Sequence, residues 1–433
     1  MEGCQAETRG GDGIVRVFAT VDRAGTAGDI GPSMVRIFEL WFDKVNAEGG
    51  IIGCQIEADV IDEPFPDLDA CLRNWRDAIG SGKYDFYFGA FNSACQAAVP
   101  ELTNAAGQVV IANSAADHLP HFEKFQRLNI HGAVSTFLEG RSMAVFAKQQ
   151  GWKRIATLAP NYAYGQDAER GFTEYFRQIV PDGEIVTQQF PEFDEDNFTT
   201  FINAIAGEEP DALISTFFGP FVVPFWKQWD AAGLSDTPNI GGILDTPTFE
   251  VVASADEIPA NSHGYDRGYW GLLVQTPLGK EVYDLYVANY GDDPDHPIPS
   301  AWTFPYVSGI EMAIALAEET GGFDPDAWIE RIEQGDFTFN SPYHKGPTPV
   351  NPINHMADTC AQVAPVFWNE ELPVKADFDL NGLVNVCMHD ILPDDEARAL
   401  TDNPRVTDEA LARYNQKIEE VKAANGPGWS VGP

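Results

Sequence analysis

Basic residues are scarce in this chain. Its 433 residues include 27 Lys and Arg against 66 Asp and Glu, a formal net charge of −39. Nucleic acid and anionic membranes both demand a basic footprint, so both are excluded as partners. The excess acid reads as a solvated surface of the kind found in saline habitats, which favours solubility and says nothing about fold. Long hydrophobic runs are also missing. No apolar stretch reaches the roughly 18 residues of a membrane-spanning helix, so no direct membrane insertion is expected. Met1-Glu2-Gly3-Cys4 has neither the basic nor the apolar region of a secretory signal and reads as a trimmed start. A lipid anchor on Cys4 would need a preceding apolar stretch, and there is none.

The six cysteines, Cys4, Cys54, Cys71, Cys95, Cys360 and Cys387, form no CxxC pair. That argues against a zinc or redox motif. Their even number and wide spacing suit disulfides in an oxidising compartment. Cys4 and Cys54 fall at the same end of two neighbouring strands. Cys71 and Cys95 fall on consecutive helices, and Cys360 and Cys387 lie in or beside two apolar strands joined by a hairpin-like link. These three pairings are expected; six buried thiols are the alternative. Enzyme signatures are absent as well. No G-x-G-x-x-G follows the first strand in dinucleotide spacing, and neither G-x-x-x-x-G-K-[ST] nor G-x-S-x-G occurs. Carboxylates are so common that no pair of them is informative for acid–base work. His118 and His121 lack an evident third ligand and read as surface loop histidines. No catalytic residue, cofactor or metal is expected.

What is present is ample material for a core: 44% hydrophobic and 12% aromatic residues. The length suits two lobes with an appendage. Residues 14–50 are the most informative stretch. An apolar run over 14–21 reads as a buried parallel strand, a glycine-rich loop follows, and an amphipathic helix over 34–47 ends at Gly49-Gly50. Strands then alternate with helices. Strands are expected over 55–61, 86–88 and 109–112, with helices over 67–79, near Asp67 as N-cap, and 94–102. The pattern restarts after His131, with helices over 134–149, 166–179, 198–206 and 224–232 and strands over 155–159, 184–189, 212–216 and 239–243. Further on, a strand is expected over 268–273, helices over 281–289, 301–318 and 326–333, and strands over 363–368 and 382–387. The fold class is α/β, with two doubly wound parallel-sheet lobes. Lobe 1 is assigned to 13–133 and 264–340, and lobe 2 to 134–263 and 341–392. An acidic extension over 393–433 carries one helix, 408–424.

Three stretches carry a resemblance. They are Asp43-Lys44-Val45-Asn46-Ala47-Glu48-Gly49-Gly50-Ile51-Ile52-Gly53 with the later Ile61-Asp62-Glu63, then Phe88-Gly89-Ala90-Phe91-Asn92-Ser93, and Asn161-Tyr162-Ala163-Tyr164-Gly165 after the strand at 155–158. In order and spacing the chain resembles the periplasmic substrate-binding proteins of ABC transporters, in the branched-chain amino acid (Leu/Ile/Val-binding) group with the type I binding-protein fold. The resemblance spans about residues 14–370. It implies two lobes joined by a three-segment hinge, a solute held between them, no catalysis, a periplasmic location, a membrane permease as partner and a monomer. The chain also departs from the group. The contact Thr after strand four falls near Ala116, small Ala27 replaces an aromatic in the first loop, and the tail past Pro393 has no counterpart.

The resemblance implies that hydroxyls and N–H groups at helix N-termini hold a solute's carboxylate. Asn92 and Ser93 stand before a helix, where Ser93 is either a carboxylate ligand or a plain N-cap. Ser114, Ala115 and Ala116 form the equivalent loop, small enough for backbone to approach a ligand. Asp245 occupies the place of the ammonium-binding carboxylate. Tyr164 matches a cleft-lining tyrosine. Phe217, Phe218 and Phe221 bracket Gly219-Pro220 and suggest an apolar or cation-stacking wall. Phe18, Arg23, Asp29, Trp270, Trp302 and Tyr306 are further candidates. The expected activity is capture of an amino acid or similar zwitterion. A small amide, urea-like or carboxylate solute and a ligand-sensing regulatory domain of the same fold are the alternatives, with an enzyme on this fold behind them.

Overall fold

The computed structural model describes residues 3–23, 31–63, 65–113, 116, 118–218, 222–243, 261–294, 296–368 and 376–433. The apolar run becomes β1 (Ile14–Val21), whose last five residues are all buried. It pairs in parallel on one side with β2 (Gln55–Asp62) and on the other with β3 (Phe86–Phe88), followed by β4 (Val110–Ala112) and β5 (Asn129–His131). The order is β2-β1-β3-β4-β5. Connecting helices are α1 (Gly31–Ala47), α2 (Leu68–Ser81), α3 (Ser93–Gln96) and α4 (Val99–Ala105). Asp67 caps α2 by accepting from Ala70 N at 2.9 Å. One continuous helix over 94–102 is not found. The chain breaks at Ala97–Ala98, ahead of Pro100, whose missing N–H is harmless in the first turn of a new helix and costly inside an old one.

The second sheet repeats the winding. After α5 (Thr136–Gln150) come β6 (Arg154–Leu158), α6 (Ala163–Ile179), β7 (Glu184–Gln189), α7 (Thr199–Gly207), β8 (Ala212–Ser215), α8 (Val222–Ala231), β9 (Asn239–Ile243) and β10 (Ser262–Asp266). Their parallel order, β7-β6-β8-β9-β10, matches that of the first sheet strand for strand. Helices α5 and α6 touch backbone to backbone. A Cβ on Gly171 would fall 2.0 Å from Phe137 O, and one on Gly140 2.1 Å from Ala168 O. The expected strand over 268–273 is instead the helical turn α9 (Trp270–Leu273), and the sheet position belongs to β10. Short apolar runs do not separate a strand from a buried helical turn by periodicity.

Next, α10 (Pro277–Tyr290), α11 (Thr303–Thr320) and α12 (Pro325–Glu333) return to the first sheet, where Trp41 of α1 donates to Glu311 of α11 at 2.8 Å. A small hairpin of β11 (Thr338–Phe339) and β12 (Thr348–Pro349) follows. Then β13 (Cys360–Trp368) joins the second sheet antiparallel to β10 and carries β14 (Ala376–Phe378) and β15 (Val384–Cys387), also antiparallel. The second sheet is therefore mixed. The chain passes between the sheets three times, over 132–135, 267–269 and 350–359. The third pass folds back on β5, with His131 N donating to His355 O at 3.0 Å and Ala357 N to His131 O at 2.8 Å. The first pass is packed against α11 so closely that a Cβ on Gly132 would lie 2.7 Å from Gly309 Cα.

Cys4–Cys54, Cys71–Cys95 and Cys360–Cys387 form the three expected disulfides. After α13 (Met388–Ile391), the extension from 393 holds two helices, α14 (Asp394–Leu400) and α15 (Asp408–Asn425), rather than one. It grips both halves. Thr401 Oγ1 donates to His121 O and Asn403 to Ile353 O, both at 3.1 Å, while Arg141 on α5 binds Glu396 and Val431 N binds Asn385 O of β15. His118 and His121 are buried, not on the surface. His121 is set between Asn354 O and the Asn129 amide, each at 2.8 Å. No described helix is long and apolar enough to cross a membrane.

Candidate functional site

In a sheet wound 2-1-3-4-5, the loops leaving strands 1 and 3 diverge to opposite faces and open a crevice at the strands' carboxyl ends. Both sheets have that crevice. On the first sheet it is organised by Glu63, just past β2 and fully buried. Its carboxylate accepts from Thr20 Oγ1 at 2.5 Å, Phe91 N at 3.0 Å and Asn92 N at 2.5 Å. The loop after β3 is thereby tied to the ends of β1 and β2. Burial, together with the neighbouring Asp22, pushes the Glu63 carboxyl up to about 7, although all three donors oppose that shift. Held this way, Asn92 caps α3. Its Oδ1 accepts from Ala94 N at 2.9 Å and from Cys95 N at 3.4 Å. The helix N-terminus expected to receive an anion thus has the N–H groups of Ala94 and Cys95 engaged by Asn92, and α3 is only four residues long. Ser93 is not the cap. Its Oγ accepts from Ala116 N at 3.0 Å, joining the loops after β3 and β4.

The second sheet's crevice presents aromatic side chains. Tyr162 stands at the N-cap of α6, and Tyr164 lies in the first turn. The Tyr164 hydroxyl bonds the hydroxyl of Tyr265 on β10, and its ring meets Phe218 edge-on at 5.3 Å. Successive residues point to opposite sides of the chain after β8. Phe217 enters the core against Phe198, whereas Phe218 meets Tyr164 and Phe193. The two crevices are in contact. Phe65, from the first half, packs on Tyr162 at 5.9 Å and on Phe193 at 5.1 Å. Arg170 of α6 also binds Glu123 at 2.6 Å.

At the base of this meeting lies Arg267, first residue of the second crossing and wholly buried. Its Nη2 donates to Glu139 Oε2 of α5 at 2.7 Å, and both side chains are 0% exposed. Its guanidinium stands 4.4 Å from the ring centre of Trp302, and Trp302 meets Phe91 edge-on at 5.4 Å. The crossing is clamped from behind by Tyr343, whose hydroxyl donates to Arg267 O at 2.6 Å. Next to it, Asp266 accepts from Gly268 N at 2.6 Å, and burial raises its carboxyl to about 7.

The structure thus brings together Asn92, Ser93, Ala116, Tyr164, Phe218 and Trp302 of the sequence candidates. It places others elsewhere. Phe18 packs on Trp75 and Tyr84, Tyr306 packs on Phe38, and Trp270 stacks on Tyr283. Arg23 is exposed and binds Val60 O at the edge of the first sheet. Ser114, Ala115, Phe221, Asp245 and Asp29 lie outside the described residues. Sequence reading passed over Arg267, Glu139, Phe65 and Phe193. Arg267 did leave a signal, as a single cation within Tyr265-Asp266-Arg267-Gly268-Tyr269-Trp270 in a chain poor in cations. Among the described residues, the groupings of His, Cys, Asp and Glu tight enough for a metal each contain two cysteines of one disulfide, so neither is a metal site.

A family model described as periplasmic binding protein matches residues 15–370. No curated protein matches the chain. Many solved structures share its fold. A periplasmic binding protein from Burkholderia mallei aligns with a TM-score of 0.73 at 15% identity, over 91% of this chain and 98% of that one. The solute binding protein of an ABC transporter from Rhodopseudomonas palustris HaA2, solved with p-hydroxybenzoic acid, gives a TM-score of 0.71 at 18% identity, over 85% and 96%. The branched-chain amino acid transporter substrate binding protein LivJ from Streptococcus pneumoniae, solved with isoleucine, gives 0.70 at 18%, over 86% and 99%.

Proposed function

The chain belongs to the periplasmic binding protein family, and on that footing we propose that it is the extracytoplasmic solute-binding component of an ABC importer. It captures one small carboxylate-bearing solute and hands it to a membrane permease. The halves built on the two sheets act as lobes, and the three crossings act as the hinge. One observation carries this reading: Phe65 from the first half packs on Tyr162 and Phe193 from the second, and the crossing residue Arg267 is fully buried. A solute touching both sets favours the closed arrangement by its extra contacts there, which is all that hinge closure requires. The family is one of binding proteins, which supports a role without turnover.

The solute class follows from what relatives hold. Isoleucine and p-hydroxybenzoic acid share a carboxylate and little else. Membership of the Leu/Ile/Val group is not carried over, because structures of similar likeness hold either kind of molecule. The expected zwitterion required Asp245 as the ammonium partner, and Asp245 lies outside the described residues.

Thermal unfolding in the presence of a panel of carboxylates, amino acids and amides tests the proposal. A solute at a hundred times its Kd stabilises the native form by about 2.7 kcal/mol. One chemical class is expected to raise the Tm by several degrees. A panel that leaves the Tm unmoved throughout refutes solute capture.

A further inference from the structure

Two basic side chains are buried among the described residues, Arg141 and Arg267. Arg141 has an internal explanation for both its Nη groups, with Nε alone left without a hydrogen-bond partner. Its Nη1 donates to Ile391 O at 2.7 Å, and its two Nη groups grip Glu396 at 3.0 and 2.6 Å. Arg267 has less. Its Nη2 is engaged by Glu139, while Nε and Nη1 are buried with no hydrogen-bond partner. Dry, unbonded donors on a charged group are costly, so a fold that retains them calls for an acceptor supplied from elsewhere. Trp302 Nε1 is in the same condition, and its ring faces the guanidinium at 4.4 Å. All three unmet groups are donors. A carboxylate is the acceptor whose planar pair of oxygens matches an arginine's planar N–H groups.

The surroundings describe the rest of the molecule. Phe91 abuts Trp302, and the bonded pair Tyr164 and Tyr265 stands beside the crossing, Tyr265 two residues before Arg267 in the chain. Phe218, Phe193 and Phe65 continue the aromatic surface beyond Tyr164. Such walls suit a flat apolar body. Three carboxylates near Arg267 and the Phe91 loop are already engaged and leave no host for an ammonium there. Glu139 is committed to Arg267, and Glu63 is enclosed by Thr20 and two N–H groups. Asp266 is bound by Gly268 N.

We propose that Arg267, assisted by the Trp302 indole N–H, anchors the carboxylate of the bound solute, and that this solute is an aromatic monocarboxylate without an ammonium group. The proposal rests on the solute-capture reading above and adds to it the anchoring residue and the class of solute.

Titration calorimetry and tryptophan fluorescence with benzoate, 4-hydroxybenzoate, phenylacetate, benzamide, L-leucine and L-phenylalanine test it on the full chain. At least one of the three aromatic acids is expected to bind and change tryptophan emission. Benzamide, which keeps the ring and loses the charge, is expected to bind about 30-fold more weakly or worse than benzoate, the scale of losing a buried charged contact. Arg267→Met alone strands Glu139, so the informative variant is Arg267→Met with Glu139→Gln, which removes both charges. It should keep the wild-type circular dichroism and lose the acid by about 30-fold or more. Trp302→Phe, which keeps a ring and removes one donor, should weaken the acid by about 5-fold, the worth of one hydrogen bond. Should the double variant not fold, Trp302→Phe and the benzoate-to-benzamide ratio decide. Unchanged acid affinity in either folded variant overturns the anchor, as does benzamide binding on a par with benzoate. Binding of an amino acid with none of the acids overturns the solute class and leaves solute capture standing. A wider panel without a single binder removes solute capture itself.

Discussion

Replacing Glu63 with Gln should change how stability responds to pH, and the size of that change can be worked out. Glu63 is wholly buried at the root of the loop that carries Phe91, Asn92 and Ser93. Burial raises its carboxyl from 4.5 to about 7. One pKa unit corresponds to about 1.4 kcal/mol, so the displacement is worth about 3 kcal/mol. The sign follows from proton binding. Between pH 4.5 and 7 the folded protein holds this proton more tightly than the unfolded chain does. The favourable term is therefore fully present below about pH 4.5 and disappears as pH rises through about 7. Gln cannot titrate. The stability of Glu63→Gln minus that of the wild type should rise by about 3 kcal/mol from pH 4.5 to pH 8. The amide also misfits a site built of donors, presenting NH2 to Thr20, Phe91 N or Asn92 N, which adds a constant cost of about 1–3 kcal/mol. That offset shifts the difference curve without tilting it. Asp266, also raised to about 7, is common to both proteins and cancels. Urea unfolding at fixed ionic strength in half-unit pH steps gives the curve. A flat difference between pH 4.5 and 8 would show that Glu63 stays ionised, with its three hydrogen bonds outweighing burial.

Gly171→Ala should destabilise the protein by about 1–3 kcal/mol or more, because the new methyl meets Phe137 O of α5, a backbone atom that moves only with its helix. Gly151→Ala is the control: its φ of 75° carries a strain cost of about 1 kcal/mol, with no atom within 4 Å of the added methyl. Equal urea midpoints for the two variants would contradict the close-packed α5–α6 contact. Glu396→Ala should cost about 2 kcal/mol, because it strands the Arg141 guanidinium, 3% exposed, with Ile391 O as its remaining described hydrogen-bond partner. Glu396→Gln, which keeps an acceptor, should recover part of that loss in the same unfolding assay.

The architecture was legible because it depends on local pattern. β1, β3, β7 and β9 each had boundaries or apolar character that periodicity and turn residues resolve within a residue or so. The same alternation, read twice, implied two similar windings, and the identical strand order of the two sheets is its consequence. One failure has a tertiary cause. Residues 268–273 are apolar enough for a strand, but β10 fills that place in the sheet, and what lies next to β9 is decided by chain path and not by local preference. The break at Ala97–Ala98 is different, since Pro100 announced it in the sequence.

The site was far less legible, since its decisive contacts join residues with no sequence relation. Arg267 and Glu139 are 128 positions apart, one on a crossing and one on α5. Ser93 was chosen for its place before a helix. Its hydroxyl turned out to bind Ala116 N, a loop-to-loop contact set by the spacing of β3 and β4. Asn92 took the capping role because Glu63 fixes its backbone from outside the loop. In a chain with 66 acids few carboxylates are conspicuous: Glu63 entered only within Ile61-Asp62-Glu63, with no role assigned, and Glu139 was passed over. Scarcity works the other way. A chain holding 27 basic residues has little reason to bury one, and Arg141 and Arg267 are the buried cases among those described. Burying a cation requires a specific partner. An isolated arginine flanked by aromatic residues at a sheet-to-sheet crossing is therefore a better pointer to a binding site, in an acidic protein of this architecture, than any of its numerous acids.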